Sequence, residues 1–104
     1  MQKERFIDYL SSEKRFSIHT ITSYSNDINQ FFLFLSEEYQ IDSDISEVHF
    51  QIVRSWIASL LESGLSPRSV TRKISTLKTY FKFLIRQGVI HESPMLKVIA
   101  PRAN

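Results

Sequence analysis

The chain has 104 residues, no cysteine, a 42% hydrophobic composition and a formal net charge of +2. That length closes one small hydrophobic core, and the absence of cysteine excludes disulfides and thiolate metal sites. The longest strongly apolar run, around Phe31 to Leu35, is far too short for a bilayer, and the opening MQKERFIDYL lacks the apolar stretch and cleavage site of a signal peptide, so the chain is expected to be cytoplasmic and without a membrane partner.

Apolar residues recur at a spacing of 3.6 along nearly the whole chain, without alternation of period two, which predicts an all-α domain of four main helices. The first is expected over about Lys3–Lys14, with Phe6 and Leu10 one turn apart and Tyr9 beside them. RFSIHT breaks it, and Ser17 is a natural N-cap for a second helix over about Ile18–Glu38. Its inward stripe is Ile21, Tyr24, Ile28, Phe31, Phe32 and Leu35; Leu33 and Phe34 make the second half apolar nearly all round, so that end is expected to be buried. YQIDSDISEVHF reads as a polar loop. A third helix, about Phe50–Ser63, turns Val53, Trp56, Ile57, Leu60 and Leu61 inward and ends at Gly64 as its C′ residue. Ser66 as N-cap and Pro67 at the first helical position restart the chain into a fourth helix, which continues to Gln87 and stops at Gly88. HESPMLKVIAPRAN follows as a short turn or helix and then a tail.

Charge is segregated along this framework. Glu37, Glu38, Asp42, Asp44, Glu47 and Glu62 crowd the middle, whereas Gly64 to His91 contains Arg68, Arg72, Lys73, Lys78, Lys82 and Arg86 and no acid. At ~100° per residue, Val70, Ile74, Leu77, Phe81, Leu84 and Ile85 share one arc of the fourth helix. Arg68, Arg72, Ser75, Thr79, Lys82 and Arg86 share the opposite one, with Lys73 and Lys78 at its flanks and Phe83 projecting from the polar side. Cations near a helix N-terminus oppose the macrodipole, so stability does not account for Arg68, Arg72 and Lys73. A polyanion does, since guanidinium groups interleaved with hydroxyls suit phosphate and base-edge contacts. The first half of the second helix exposes His19, Thr20, Thr22, Ser23 and Asn26, short polar groups suited to close approach to a duplex.

No catalytic or metal constellation stands out, and no cofactor is expected. His19, His49 and His91 fall on separate elements without ligand spacing. There is no Gly-x-Ser-x-Gly elbow, and two glycines cannot build a phosphate loop. Asp27 is expected to cap or pair on a helix face, and the tyrosines and Trp56 to pack in the core.

The blocks FIDYLSSEKRFSIHTITSYSNDINQFFLFL, GLSPRSVTRKISTLKTYFKFLIRQGVI and SPMLKV resemble the N-terminal core-binding domain of tyrosine recombinases, with the closest likeness to Xer-like and phage-integrase-like members. The likeness rests on Ser17, His19-Thr20, Tyr24, Asp27, Phe31 and Leu35, then on Gly64-Leu65-Ser66, Arg68-Ser69-Val70, Ser75–Leu77, Phe81, Leu84, Gly88 and Ile90. It implies a compact orthogonal, SAM-like bundle over residues 1–98 that forms half of a clamp on duplex DNA, with 99–104 as the start of a linker to an absent catalytic domain. Carried over by position, His19, Thr20, Thr22, Ser23 and Asn26 of the second helix and Arg68, Ser69, Arg72 and Lys73 of the fourth would lie along the DNA. The family's first helix commonly joins protomers in a synaptic tetramer, which would give Phe6, Tyr9 and Leu10 a role besides packing; the isolated fragment is expected to be monomeric. Ser93 stands where the family often has Asn before the proline, and Ser caps a turn as well. The family's catalytic arginines, lysine, histidine and tyrosine lie in the second domain, so this chain is not expected to be an enzyme. The residues also permit a different class of function, a helical adaptor whose basic face docks an acidic protein.

Overall fold

The computed structural model describes residues 1–102; the last two positions of the expected linker, Ala103 and Asn104, lie outside the described residues. Among those described, regular structure is entirely helical: α1 (Lys3–Ser12), α2 (Ile18–Tyr39), α3 (Phe50–Glu62) and α4 (Pro67–Arg86), with a single 3₁₀ turn at Ile45–Glu47. They form two compact units, Met1–Asp44 and a second beginning at Ile45.

In the first unit α1 packs on α2. Phe6 and Leu10 are fully buried, as are Ile28, Phe31 and Leu35 of α2. The Tyr24 ring lies 6.4 Å from that of Phe6 and 5.5 Å from that of Phe16, so the break between the helices is closed by aromatic packing. Since Phe6 and Leu10 have no exposed surface, they cannot serve as protomer contacts on α1 in this conformation; Tyr9, half-buried, retains some. The expected burial of the second half of α2 is corrected by the structure: Leu33 is 58% exposed and Tyr39 38% exposed. The Phe34 and Tyr39 rings lie 5.7 Å apart. A sequence stripe counts apolar residues but not the neighbours that would cover them.

In the second unit α3 packs on α4. Both helices end in the same device. The N–H of Gly64 bonds to the Leu61 carbonyl (3.1 Å) and that of Leu65 to Leu60 (3.2 Å); Gly88 and Val89 repeat the pattern on Ile85 and Leu84 at 3.0 Å each. This is the Schellman arrangement, with glycine in the left-handed region at φ 99° and 75° and an apolar residue after it. The segment read as a polar loop is anchored at intervals, since Ile41, Ile45 and Val48 are all buried and the 3₁₀ turn lies between the last two. After α4, the Ser93 hydroxyl oxygen accepts the Met95 N–H at 3.1 Å, so Ser93 does cap the turn, and Met95 is buried behind it.

The inward face of α4 departs from the expected one. Its buried residues, in angular order, are Phe83, Thr76, Tyr80, Lys73, Leu84, Leu77, Val70, Phe81 and Ile74, an arc of roughly half the circumference. Phe83, expected on the polar side, is 3% exposed, whereas Ile85, expected in the core, is 37% exposed. The arc thus extends past the expected stripe on the Tyr80–Phe83 side and stops short of Ile85.

Tyr80 has no exposed surface, and no buried side-chain polar atom lacks a hydrogen-bond partner among the described residues. Burial disfavours the phenolate and pushes the Tyr80 hydroxyl well above the ordinary tyrosine range. The folded state therefore keeps the proton that the unfolded chain releases near pH 10, and stability is lost as pH rises from there. The difference in unfolding free energy between wild type and Tyr80→Phe is expected to be flat below pH 9 and to fall by about 1.4 kcal/mol per pH unit above ~10. Urea titrations of both proteins across that range check it; parallel curves would exclude Tyr80 as the source.

Candidate nucleic-acid interface

Two surfaces collect the polar residues singled out in the sequence, one in each unit. On α2, Ser17 caps the helix: its hydroxyl oxygen accepts the Thr20 N–H at 3.2 Å, and the Ser17 and Thr20 hydroxyls lie 3.0 Å apart. His19, Thr22 and Asn26 are exposed and fall within roughly 60° of one another on the helix. Thr20 and Ser23 are half-buried, so the outward line of this tip is His19, Thr22 and Asn26. Asp27 does not lie on an exposed helix face: it is buried in mid-helix with 1% exposure.

On α4, Ser66 accepts the Ser69 N–H at 3.2 Å and donates its own hydroxyl proton to Ser69 Oγ at 3.1 Å. Pro67 occupies the first turn and has no N–H to offer. The cap and the proline between them take up the first-turn donors except that of Arg68, so anion recognition at this end would fall to side chains. Arg68, Arg72, Ser75, Lys78, Lys82 and Arg86 are all exposed, along a helix with no acidic residue, while Ser69 and Thr79 are half-buried.

Lys73 stands apart from the other α4 residues of the expected site. It is 5% exposed and lies roughly 20° from Leu84 on the helical wheel, inside the apolar arc. The expected boundary position is therefore corrected, and the outward basic surface is that of Arg68, Arg72, Lys78, Lys82 and Arg86. Lys82 and Arg86 were legible on that polar arc in the sequence, and Lys78 at its flank.

Several hydroxyls of these two surfaces are already engaged. Thr22 donates to the Ile18 carbonyl at 2.9 Å, Thr71 to Pro67 at 2.8 Å and Thr79 to Ser75 at 3.1 Å. Such i−4 bonds compete with any outside acceptor, so a phosphate gains only the difference between two hydrogen bonds there. Guanidinium and ammonium groups, not hydroxyls, are the stronger phosphate donors on this face.

Other chemistry finds little support in the geometry. His19, His49 and His91 are exposed, and among the described residues no three His, Asp or Glu side chains are grouped as a metal site would need. No helix of the described residues is long and apolar enough to cross a membrane.

The family model for the phage integrase N-terminal SAM-like domain matches residues 4–88. The chain belongs to this family. Its relatives within the integrase N-terminal domain family include tyrosine recombinases XerC. That of Listeria innocua serovar 6a is 41% identical over 96 residues, a match covering 92% of this chain and 31% of that protein. The XerC of Chlorobaculum tepidum is 37% identical over 103 residues, covering 93% and 30% respectively. That of Oceanobacillus iheyensis is 39% identical over 101 residues, covering 97% and 32%. The chain thus spans about three tenths of the length of the recombinases it matches. No solved structure matches it. An all-helical integrase N-terminal domain similar to part of these recombinases agrees with the fold class and resemblance read from the sequence.

Proposed function

We propose that this domain is the DNA-binding module of a site-specific tyrosine recombinase, holding a duplex half-site through the outward face of α4 and the tip of α2. The observation that carries the reading is the α4 face: five exposed cations (Arg68, Arg72, Lys78, Lys82, Arg86) on a helix free of acids, in a chain of the integrase N-terminal family. A cationic row of this kind neutralises successive phosphates and releases their counterions, which supplies affinity without sequence discrimination. His19, Thr22 and Asn26, short and outward on α2, are the groups suited to base edges.

On this reading residues 1–98 bind DNA and residues from 99 onward begin a linker to a catalytic domain, so that recombination chemistry belongs to the full-length recombinase. That parent would act with other protomers in a synaptic tetramer, in the cytoplasm.

The test is a fluorescence-anisotropy titration of the chain onto a random-sequence duplex across a salt series. A non-specific dissociation constant of roughly 10⁻⁴ to 10⁻⁶ M at physiological salt is expected, with log K falling by about 0.9 per phosphate contact for each tenfold rise in salt. Absence of binding at low salt would overturn the reading and favour an adaptor whose basic face docks an acidic protein.

A further inference from the structure

We propose that Arg15, in the turn between α1 and α2, is a phosphate-contacting residue that seats the tip of α2 on duplex DNA; this rests on the DNA-binding reading above. Arg15 is exposed and stands at φ 53°, in the left-handed region. An arginine there meets a steric penalty that glycine escapes. The chain builds the same kind of turn twice, once before each helix of the candidate interface. Each has a left-handed residue, then an apolar residue whose N–H closes back on the preceding helix, then a serine N-cap. Before α4 these are Gly64, Leu65 and Ser66, with the Leu65 N–H bonded to the Leu60 carbonyl at 3.2 Å. Before α2 they are Arg15, Phe16 and Ser17, with the Phe16 N–H bonded to the Leu10 carbonyl at 3.1 Å. Only the turn before α2 places a cation where glycine is the unstrained choice.

The difference follows the charges of the helices that the turns lead into. α4 carries its own exposed cations, Arg68 and Arg72, within its first two turns. The tip of α2 presents His19, Thr22 and Asn26 without a cation, and no Lys or Arg occurs from Phe16 to Val53. Along the chain, the cations nearest to that tip are Lys14 and Arg15, both exposed. Arg15 is two residues from the Ser17 cap, a backbone span of about 7 Å at most, so a long guanidinium side chain starts beside the tip. Phosphate contacts fix the register of a protein on the duplex, while base edges carry the sequence. Short neutral groups that approach base edges need such an anchor, and α2 has none of its own. Helix stability does not account for the arginine. A helix C-terminus attracts cations, but α1 has no cation in its last turn and carries an acid, Glu13, at its C-cap.

The test measures stability and DNA affinity on the same variants of the chain. Arg15→Gly should leave the urea midpoint at or above that of wild type, because glycine suits the left-handed position. The same substitution should weaken binding to a random-sequence duplex about tenfold and lower the slope of log K against log salt by about 0.9. Arg15→Lys keeps the charge and should keep the slope. Arg5→Gln removes a cation from an exposed position of α1 and should change the affinity by less than about twofold, since salt screens distant charges. In an isotope-labelled sample the Arg15 Nε–H signal, assigned by its disappearance in Arg15→Gly, should shift when duplex is added. If wild type binds and Arg15→Gly matches it in affinity and slope, Arg15 makes no phosphate contact, and the proposal fails while the DNA-binding reading stands. A lowered midpoint for Arg15→Gly would make Arg15 a folding residue and overturn the proposal. Equal losses of affinity for Arg15→Gly and Arg5→Gln would overturn it too, by making net charge the cause. A wild type that does not bind at low salt overturns both readings.

Discussion

Arg72→Glu is expected to weaken binding to duplex DNA by about 10- to 100-fold at low salt. Arg72 is exposed, in mid-row between Arg68 and Lys82 on the face of α4 that carries no acid. A hydrogen bond to a charged group is worth roughly 1.5–3 kcal/mol, and the reversed charge repels the neighbouring phosphates as well. The salt dependence should change along with the affinity: one lost phosphate contact lowers the slope of log K against log salt by about 0.9. Lys73→Met is the informative contrast. Sequence position puts Lys73 next to Arg72, but the structure buries it, so this substitution should leave the slope unchanged and act on stability. Arg5→Glu, at an exposed position on α1, controls for net charge. If Lys73→Met lowers the slope as much as Arg72→Glu does, the burial of Lys73 is not maintained on DNA. Equal losses for Arg5→Glu and Arg72→Glu would mean that overall charge, not the α4 face, drives binding.

The second large effect concerns stability. Phe83→Ala should destabilise the domain by about 3–5 kcal/mol, the range for deleting a buried aromatic side chain and leaving a cavity. Ile85→Ala, two residues on, should cost roughly 1 kcal/mol, because Ile85 is more than a third exposed and the vacated space opens to solvent. Simple helical geometry ranks the two in the opposite order, with Phe83 outward and Ile85 in the core. Small domains have a total stability of about 5–15 kcal/mol, so Phe83→Ala should leave a chain near its folding threshold while Ile85→Ala remains well folded. Urea denaturation of the two variants decides it through the midpoint at constant slope. A Phe83→Ala midpoint within error of wild type would place that ring in solvent.

Much of this protein was legible in the sequence because its helix punctuation is local. Ser17 and Ser66 cap, Pro67 sits where a missing N–H costs nothing, and Gly64 and Gly88 occupy left-handed positions. Each is set by the backbone preference of one residue and hydrogen bonds to residues within about five positions. Helix count, helix ends to within two residues and the exposed basic row of α4 followed from that grammar and from the 3.6-residue period. The family resemblance, carried by the same blocks, agrees with the match over residues 4–88.

What the sequence could not decide is how far around each helix the packing reaches. A hydrophobic stripe gives a direction, but the width of the buried arc depends on which elements pack against the helix from other parts of the chain. Tertiary contacts therefore took Phe83, Thr76 and Lys73 into the interior and left Ile85 out. They also left Leu33 and Tyr39 in solvent on a half-helix whose composition suggested burial, and enclosed Asp27, whose type suggested exposure. A charged or polar residue is buried only when its desolvation is offset by partners, and such partners, when remote in sequence, have no signature in the spacing of neighbouring residues.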